Sequence, residues 1–360
     1  MSSIEARLQD FVKKTVEKGK TIHSALLSLS PGNGKFNWSG AAGIANKEKQ
    51  ISMTPETPFF IASVTKLFTA TIIMKLYEEK KIKLDDIVVN YLPETLMKGI
   101  HIYKSVDYTD SINISHLLSH TSGIADYYLE KPKGGKNFFD IILKNPEKTY
   151  TVDQTIGIAR DKLEANFKPG TKAKYSDTNF QLLGKIIESV VGKELHQIYH
   201  DYIFSPLEMN NTWLYKRSDP IDEINTPVAE FYYNNKMISD SKPLESSWAD
   251  GGIISTAKDC LAFLKALFKG KIINKELTLP LMHEWRGIGY PLKYGFGTMY
   301  IKVPSTLPLI GHLGSTGTFL LYAKDVDMYF AGTINQANLS SKPVKLVSKL
   351  LYMIKKDFSK

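Results

Sequence analysis

Apolar and charged positions alternate with a helical period at the start of the chain. Leu8, Phe11, Val12 and Val16 recur three and four apart among charged residues, which predicts an amphipathic N-terminal helix. Two runs of strand character follow, residues 22–30 and 35–44. The turn sequence Pro31-Gly32-Asn33-Gly34 between them predicts an antiparallel hairpin. A long helix is predicted from Ser63 through Leu67, Phe68, Ala70, Ile73, Met74 and Leu76. The pattern stays mainly helical to about residue 205, with breaks at Pro132-Lys133-Gly134-Gly135 and Lys168-Pro169-Gly170-Thr171. From about residue 290 strands return, at 307–313, 317–323 and 328–334, before a last helix over about 341–355.

Strands at both ends around a helical middle predict an α+β protein. Residues 1–62 and 206–360 would form a lobe of antiparallel sheet with terminal helices, and residues 63–205 an inserted, mainly helical lobe. A cleft between lobes is the expected place for a site. With 360 residues, 43% of them hydrophobic, the chain can bury a large core unaided, which excludes a disordered or fibrous protein. The single cysteine, Cys260, permits no intrachain disulfide and lies in an apolar helical run, Asp259-Cys260-Leu261-Ala262-Phe263-Leu264, as a packed thiol would.

The first helix lacks the continuous apolar segment of a signal peptide, and no stretch approaches the roughly 18 apolar residues of a membrane span. A soluble, cytoplasmic protein is expected. The net charge of +9 comes almost wholly from lysines scattered among acids, with arginine only at positions 7, 160, 217 and 286. Nucleic-acid binding favours clustered arginines, so this charge argues against it.

Three short segments could carry chemistry. In Ser63-Val64-Thr65-Lys66, a helix starting at Ser63 puts its hydroxyl at the positive end of the dipole. Lys66 is then one turn on, on the same face. Serine attacks only when a neighbouring base takes its proton, and the free N–H groups of a helix start can hold an oxyanion. The same spacing recurs at Ser239/Lys242, in a polar loop, and at Ser255/Lys258, where Ser255 or Thr256 reads as a helix cap. Only the first is flanked by apolar runs on both sides, Phe59-Phe60-Ile61-Ala62 and Leu67-Phe68. The second segment, Tyr175-Ser176-Asp177-Thr178-Asn179, alone reads as a turn with Asp177 or Thr178 capping the next helix. The third, Gly311-His312-Leu313-Gly314-Ser315-Thr316-Gly317, alone reads as a glycine-rich hairpin.

An early Ser-x-x-Lys, a central Tyr-x-Asn-like loop and a late Lys/His-x-Gly strand, in that order, resemble the serine β-lactamase and penicillin-binding superfamily. The segments 117–124 (Leu-Leu-Ser-His-Thr-Ser-Gly-Ile), 251–259 and 294–297 (Tyr-Gly-Phe-Gly) look like those of its class C branch, and the likeness spans about residues 20–335. It implies a serine hydrolase needing no cofactor, in which Ser63 is acylated and Lys66 and Tyr175 share the proton handling. Ser63 and Ser315 would supply the oxyanion N–H groups, and His312 and Gly314 would line the opposite wall. To act as a neutral base, Lys66 would need its pKa lowered by about three units from ~10.4, or about 4 kcal/mol. Alternatively Lys66 stays charged and holds Tyr175 as phenolate.

Two departures from the pattern bear on the substrate. Asp177 replaces asparagine, and an ionised aspartate cannot donate a hydrogen bond to a substrate carbonyl, although it can pair with Lys66. His312 replaces the lysine of true β-lactamases and so removes a fixed positive charge. The substrates expected are therefore small esters, or amides and peptides of D-amino acids. A β-lactamase or D-Ala-D-Ala carboxypeptidase is the second possibility, and a catalytically silent ligand-binding homologue the third. His116/His120 and His196/His200 have the four-residue spacing of metal ligands but lack a third ligand or the glutamate of a His-Glu-x-x-His site, so no metal is expected. No Gly-x-Ser-x-Gly elbow or phosphate loop occurs. Tyr127 and Tyr128 are candidates for the rim of a cleft.

Overall fold

The structure is a computed structural model that describes residues 3–303, 306–339 and 341–358. Its framework is a nine-stranded antiparallel sheet built from both ends of the chain. In spatial order the strands are Arg286–Gly289, Leu292–Tyr294, Met299–Ile301, Leu309–Leu313, Thr318–Ala323, Met328–Thr333, Ser24–Pro31, Trp38–Asn46 and Ile51–Ser52. The N-terminal hairpin pairs Leu26 with Ala41, and the two termini join where Leu26 through Pro31 face Thr333 through Met328. The three outermost strands before Leu309 escaped the sequence pattern. They are three or four residues long, too short for a period of two to register.

Ser24–Pro31 is buried at every residue but the last, so both its faces are covered. The helices Ile4–Glu17 and Ala257–Phe268 both pack on it. Leu8 and Val12 carry the first of these contacts, and the Ser3 hydroxyl caps that helix by accepting from the Ala6 N–H at 3.2 Å. The second helix is capped by Thr256 and encloses Cys260. The last helix, Lys342–Phe358, packs against the first.

Between the two parts of the sheet, the helix Thr65–Glu78 is buried at eleven positions, including Thr65, Lys66, Thr69 and Thr71. A helix enclosed on all sides is a core element, so a lysine on it is surrounded by protein. The helix Asp177–Val191 packs against it and against Ile114–Leu118. This segment also holds a small hairpin, Ile102–Tyr103 with Val106–Asp107, unforeseen in a run read as mainly helical. A three-stranded sheet of Phe59–Phe60, Ile253–Ser255 and Trp213–Leu214 sets the approach to Ser63. Among the described residues, no helix is long and apolar enough to cross a membrane.

Candidate active site

Ser63 is the middle residue of a single 3-10 turn, Ala62–Val64, that runs straight into the helix Thr65–Glu78. Ala62 holds φ at +46°, a left-handed conformation that costs a side-chain-bearing residue about 1 kcal/mol. The neighbouring strand enforces it: Ile61 N–H donates to the Ile253 carbonyl at 3.1 Å, and Ile253 N–H donates to Thr65 Oγ1 at 3.1 Å. The result is a half-buried serine at a helix start, where first-turn N–H groups have no intrahelical partner.

One turn on, Lys66 is fully buried. Its ammonium donates to Ser63 Oγ at 3.3 Å, to the Asp250 carbonyl at 2.5 Å and to the Asp177 carboxylate. Asp177 is the first residue of its helix, a position the helix dipole makes favourable for a carboxylate. The expected cap was Asp177 or Thr178, but the N-cap position belongs to Ser176, and the Asp177 side chain is turned to Lys66. Two further acids complete the floor. Asp126 Oδ1 accepts the N–H groups of Asp177 at 3.2 Å and Tyr128 at 3.0 Å. Asp250 accepts from the Tyr127 phenol at 2.7 Å and from Trp248 N–H at 3.0 Å.

Burial alone would drive the Lys66 ammonium toward neutrality, but Asp177, then Asp250 and Tyr294, outweigh it and hold the pKa above its ordinary value. Burial, reinforced by Asp177, pushes the Asp126 carboxyl well above the usual range. Burial also lifts Asp250, which Lys66 pulls down and Asp177 raises, to about 6. Tyr175 lies beneath Lys66, with Nζ 5.1 Å from its ring centroid. Its hydroxyl is buried and, among the described residues, has no partner at full hydrogen-bond geometry. Burial and Asp177 raise this phenol well above its normal pKa, and the nearby Ser63 hydroxyl only partly offsets them. At rest, then, Lys66 is a cation and Tyr175 a neutral phenol. Of the two schemes open from the sequence, a charged Lys66 fits, but a standing phenolate does not.

The strand Leu309–Leu313 brings up the opposite wall. Thr316 and Thr318 hydroxyls donate to the Phe60 carbonyl at 3.1 and 3.0 Å, which ties the Ser315 turn to the residues just before Ser63. Gly314 has to be glycine, because a Cβ there would stand 2.6 Å from the Ile61 carbonyl oxygen. His312 departs from expectation. It was expected to line the cleft, yet it is fully buried, with Nε2 3.0 Å from the Tyr294 hydroxyl and Nδ1 2.7 Å from the Leu313 carbonyl. Alternation along the strand sends Leu313 and His312 to opposite faces, so Leu313, Gly314 and Ser315 line the cleft instead. Burial, with Lys66 adding to it, lowers the His312 pKa to about 3, leaving a neutral ring.

The cleft has a volume of about 1120 Å³ and reaches Ser63, Tyr175, Asp177, Gly314 and Ser315, with Phe60, Phe139, Tyr215 and Phe231 among its apolar walls. Tyr128 lines it, whereas Tyr127 is buried and turned to Asp250. His116 accepts from Asn113 N–H, and His196 and His200 lie beside Glu194 and Asp201. Among the described residues, no group of three or more His, Cys, Asp or Glu is arranged to hold a metal ion.

The sequence model of the Beta-lactamase family matches residues 12–349 of this chain. The chain belongs to the Beta-lactamase family. This family member is 30% identical over 273 residues to a teichoic acid D-alanine hydrolase of Staphylococcus aureus, covering 75% of this chain and 60% of that protein. It therefore spans less than two thirds of the length of that relative. A solved D-stereospecific amidohydrolase from Streptomyces sp. superposes with a TM-score of 0.78 at 26% identity, covering 96% of this chain and 98% of the other. The D-amino acid amidase of Ochrobactrum anthropi SV3 shares the fold, with a TM-score of 0.81 at 23% identity and 99% coverage of each chain. The α+β fold expected from the motifs is thus the fold found.

Sequence reasoning missed Asp126 and Asp250 in this Beta-lactamase family chain. Each precedes or follows ordinary loop residues, and an aspartate beside Gly251-Gly252 reads as turn chemistry. Their burial around Lys66 leaves no local signal.

Proposed function

We propose that this chain is a serine acyl hydrolase that cleaves D-aminoacyl esters or amides through an acyl-enzyme on Ser63. The observation that carries this reading is the continuous line from Ser63 Oγ to Lys66 Nζ to the Asp177 carboxylate at the floor of an open cleft. Asp177 engages Lys66 through one oxygen, and from the cleft its second oxygen can accept from a substrate ammonium. With Asp250 beside it in the cleft wall, the floor carries acidic groups suited to a cationic amino-acyl group. The names of the Staphylococcus and Streptomyces relatives point to the same D-configured chemistry.

In acylation the Ser63 oxygen bonds to the acyl carbon. Its proton passes to Lys66 as Lys66 yields one to Asp177, so the carboxylate is the proton sink. The oxyanion is held by the N–H groups of Ser63 and Ser315. The bond to the leaving group then breaks, and the departing oxygen or nitrogen takes the Tyr175 proton. The phenolate left beside the Lys66 ammonium recovers a proton from Asp177 through Lys66. Water repeats the sequence to release the acid. Tyr175 is raised too far to be a standing base but is well placed as an acid.

A β-lactamase or D-Ala-D-Ala carboxypeptidase is less well supported, because Asp177 cannot donate to a substrate carbonyl. The class C-like branch is our reading within the family, on the segments 117–124, 251–259 and 294–297. A cytoplasmic location is part of the same reading. Fractionation of cells expressing the natural gene tests it.

The test is intact-protein mass spectrometry with a fluorophosphonate probe on wild type and Ser63→Ala, followed by hydrolysis of D- and L-alanyl esters. One adduct lost in the mutant, with faster cleavage of the D-ester, is the expected result. No adduct on wild type would leave a silent ligand-binding homologue as the better account.

A further inference from the structure

His120 has no part in the mechanism above, yet it is fully buried against its centre. Its ring centroid lies 4.3 Å from that of Tyr175 and 4.4 Å from that of Tyr294. Its backbone is left-handed, with φ at +57°. The His120 carbonyl accepts from Lys174 N–H at 2.9 Å, and its Nδ1 accepts from Ser176 N–H at 3.2 Å. The residues on either side of Tyr175 are therefore both bonded to this one histidine.

The second donor to Nδ1 is the Asn179 side-chain amide at 3.2 Å, whose own oxygen accepts from the Ser122 hydroxyl at 2.7 Å. A backbone N–H can only donate, so Nδ1 carries no proton and the neutral ring holds its hydrogen on Nε2. Among the described residues, that atom is buried without a hydrogen-bond partner. Protonating the ring would break both bonds to Nδ1 and release the Tyr175 loop.

We infer that His120 is a positioning residue: its backbone carbonyl holds the Lys174 side of Tyr175, its neutral imidazole holds the Ser176 side and braces the phenol ring, and together they fix that ring against Ser63 and Lys66. This rests on the reading of Tyr175 as a proton-handling residue. Burial first, then Lys66 and His312, keeps the ring's proton affinity well below normal, in keeping with that neutral form.

The test is a double-mutant cycle on ester hydrolysis, with rates scaled to Ser63 sites titrated by the fluorophosphonate. His120→Gly tolerates the left-handed backbone but removes the acceptor and the ring. It is expected to lower kcat about 100-fold with little change in KM, the loss typical of a displaced catalytic group. His120→Asn tolerates the same backbone, returns an acceptor near Nδ1 and should recover part of the rate. The clamp acts through Tyr175, so adding His120→Gly to Tyr175→Phe should cost little more than Tyr175→Phe alone. Additive losses, or a full rate in His120→Gly, would overturn the inference while leaving the proposed function intact. A fully active Tyr175→Phe would instead remove Tyr175 from the mechanism, and the clamp with it. Should the glycine variant not fold, the asparagine variant and nitrogen-15 NMR of the wild-type histidines decide. The His120 resonance of a neutral ring protonated on Nε2 supports the clamp, and a proton on Nδ1 refutes it.

Discussion

The Lys66 ammonium and the Asp177 carboxylate form an ion pair at the floor of the cleft, their side chains 0% and 9% exposed. Removing one partner of such a pair leaves the other charge buried, which costs about 3 kcal/mol. Asp177→Asn should lose stability on that scale in chemical denaturation. It should also lose about 100-fold in kcat/KM on D-aminoacyl esters, because the proton sink goes with the carboxylate. A variant of unchanged rate would take Asp177 out of the proton path.

Tyr175→Phe separates chemistry from stability. The hydroxyl it removes is buried and, among the described residues, lacks a full hydrogen bond, so its loss should leave stability unchanged or raise it by up to about 1 kcal/mol. Loss of the acid that serves the leaving group should lower kcat by about 100-fold or more. Paired melting curves and steady-state rates check both halves.

The carboxylates around Lys66 set an acid limit on activity. Asp250 is raised to about 6, so one proton enters the cluster as the pH falls through that value. A proton on Asp250 removes one of the negative charges that draw the Ser63 proton inward to Lys66. The profile of kcat/KM against pH should fall on the acid side with a midpoint near 6, a property of the cluster and not of Asp250 alone. In Asp250→Asn this limb should move, and a limb that stays in place would assign it to another group.

Stability in acid has a separate source outside the site. The His283 ring stacks between Phe268 and Trp285 at 5.7 and 5.1 Å, and burial, aided by Lys324, lowers its pKa to about 4. Unfolded, the imidazole titrates near 6.5, so between these values the unfolded chain binds the extra proton. Stability from this group is full above pH 6.5 and is lost as the pH falls toward 4. His283→Phe should remove the effect. Its stability relative to wild type should rise by up to about 3 kcal/mol across that window, read from denaturant unfolding at several pH values.

What the sequence determined by itself was local. The periods of two and 3.6 marked the N-terminal hairpin, the helix after Ser63 and the late strands, because side-chain direction follows from backbone geometry alone. The Ser63-to-Lys66 spacing belongs with these, since residues three apart on a helix share a face whatever surrounds them. Tertiary structure decided the rest. Asp177 and the Asp250 carbonyl reach Lys66 from 111 and 184 residues away, and only their packing makes that lysine a buried cation. Strand alternation required His312 and Leu313 to point oppositely, but which of them met the cleft depended on what packed on each face. The charge state of a buried group depends on every neighbour that desolvates or pairs with it. Here those neighbours come from segments that meet only in the folded chain.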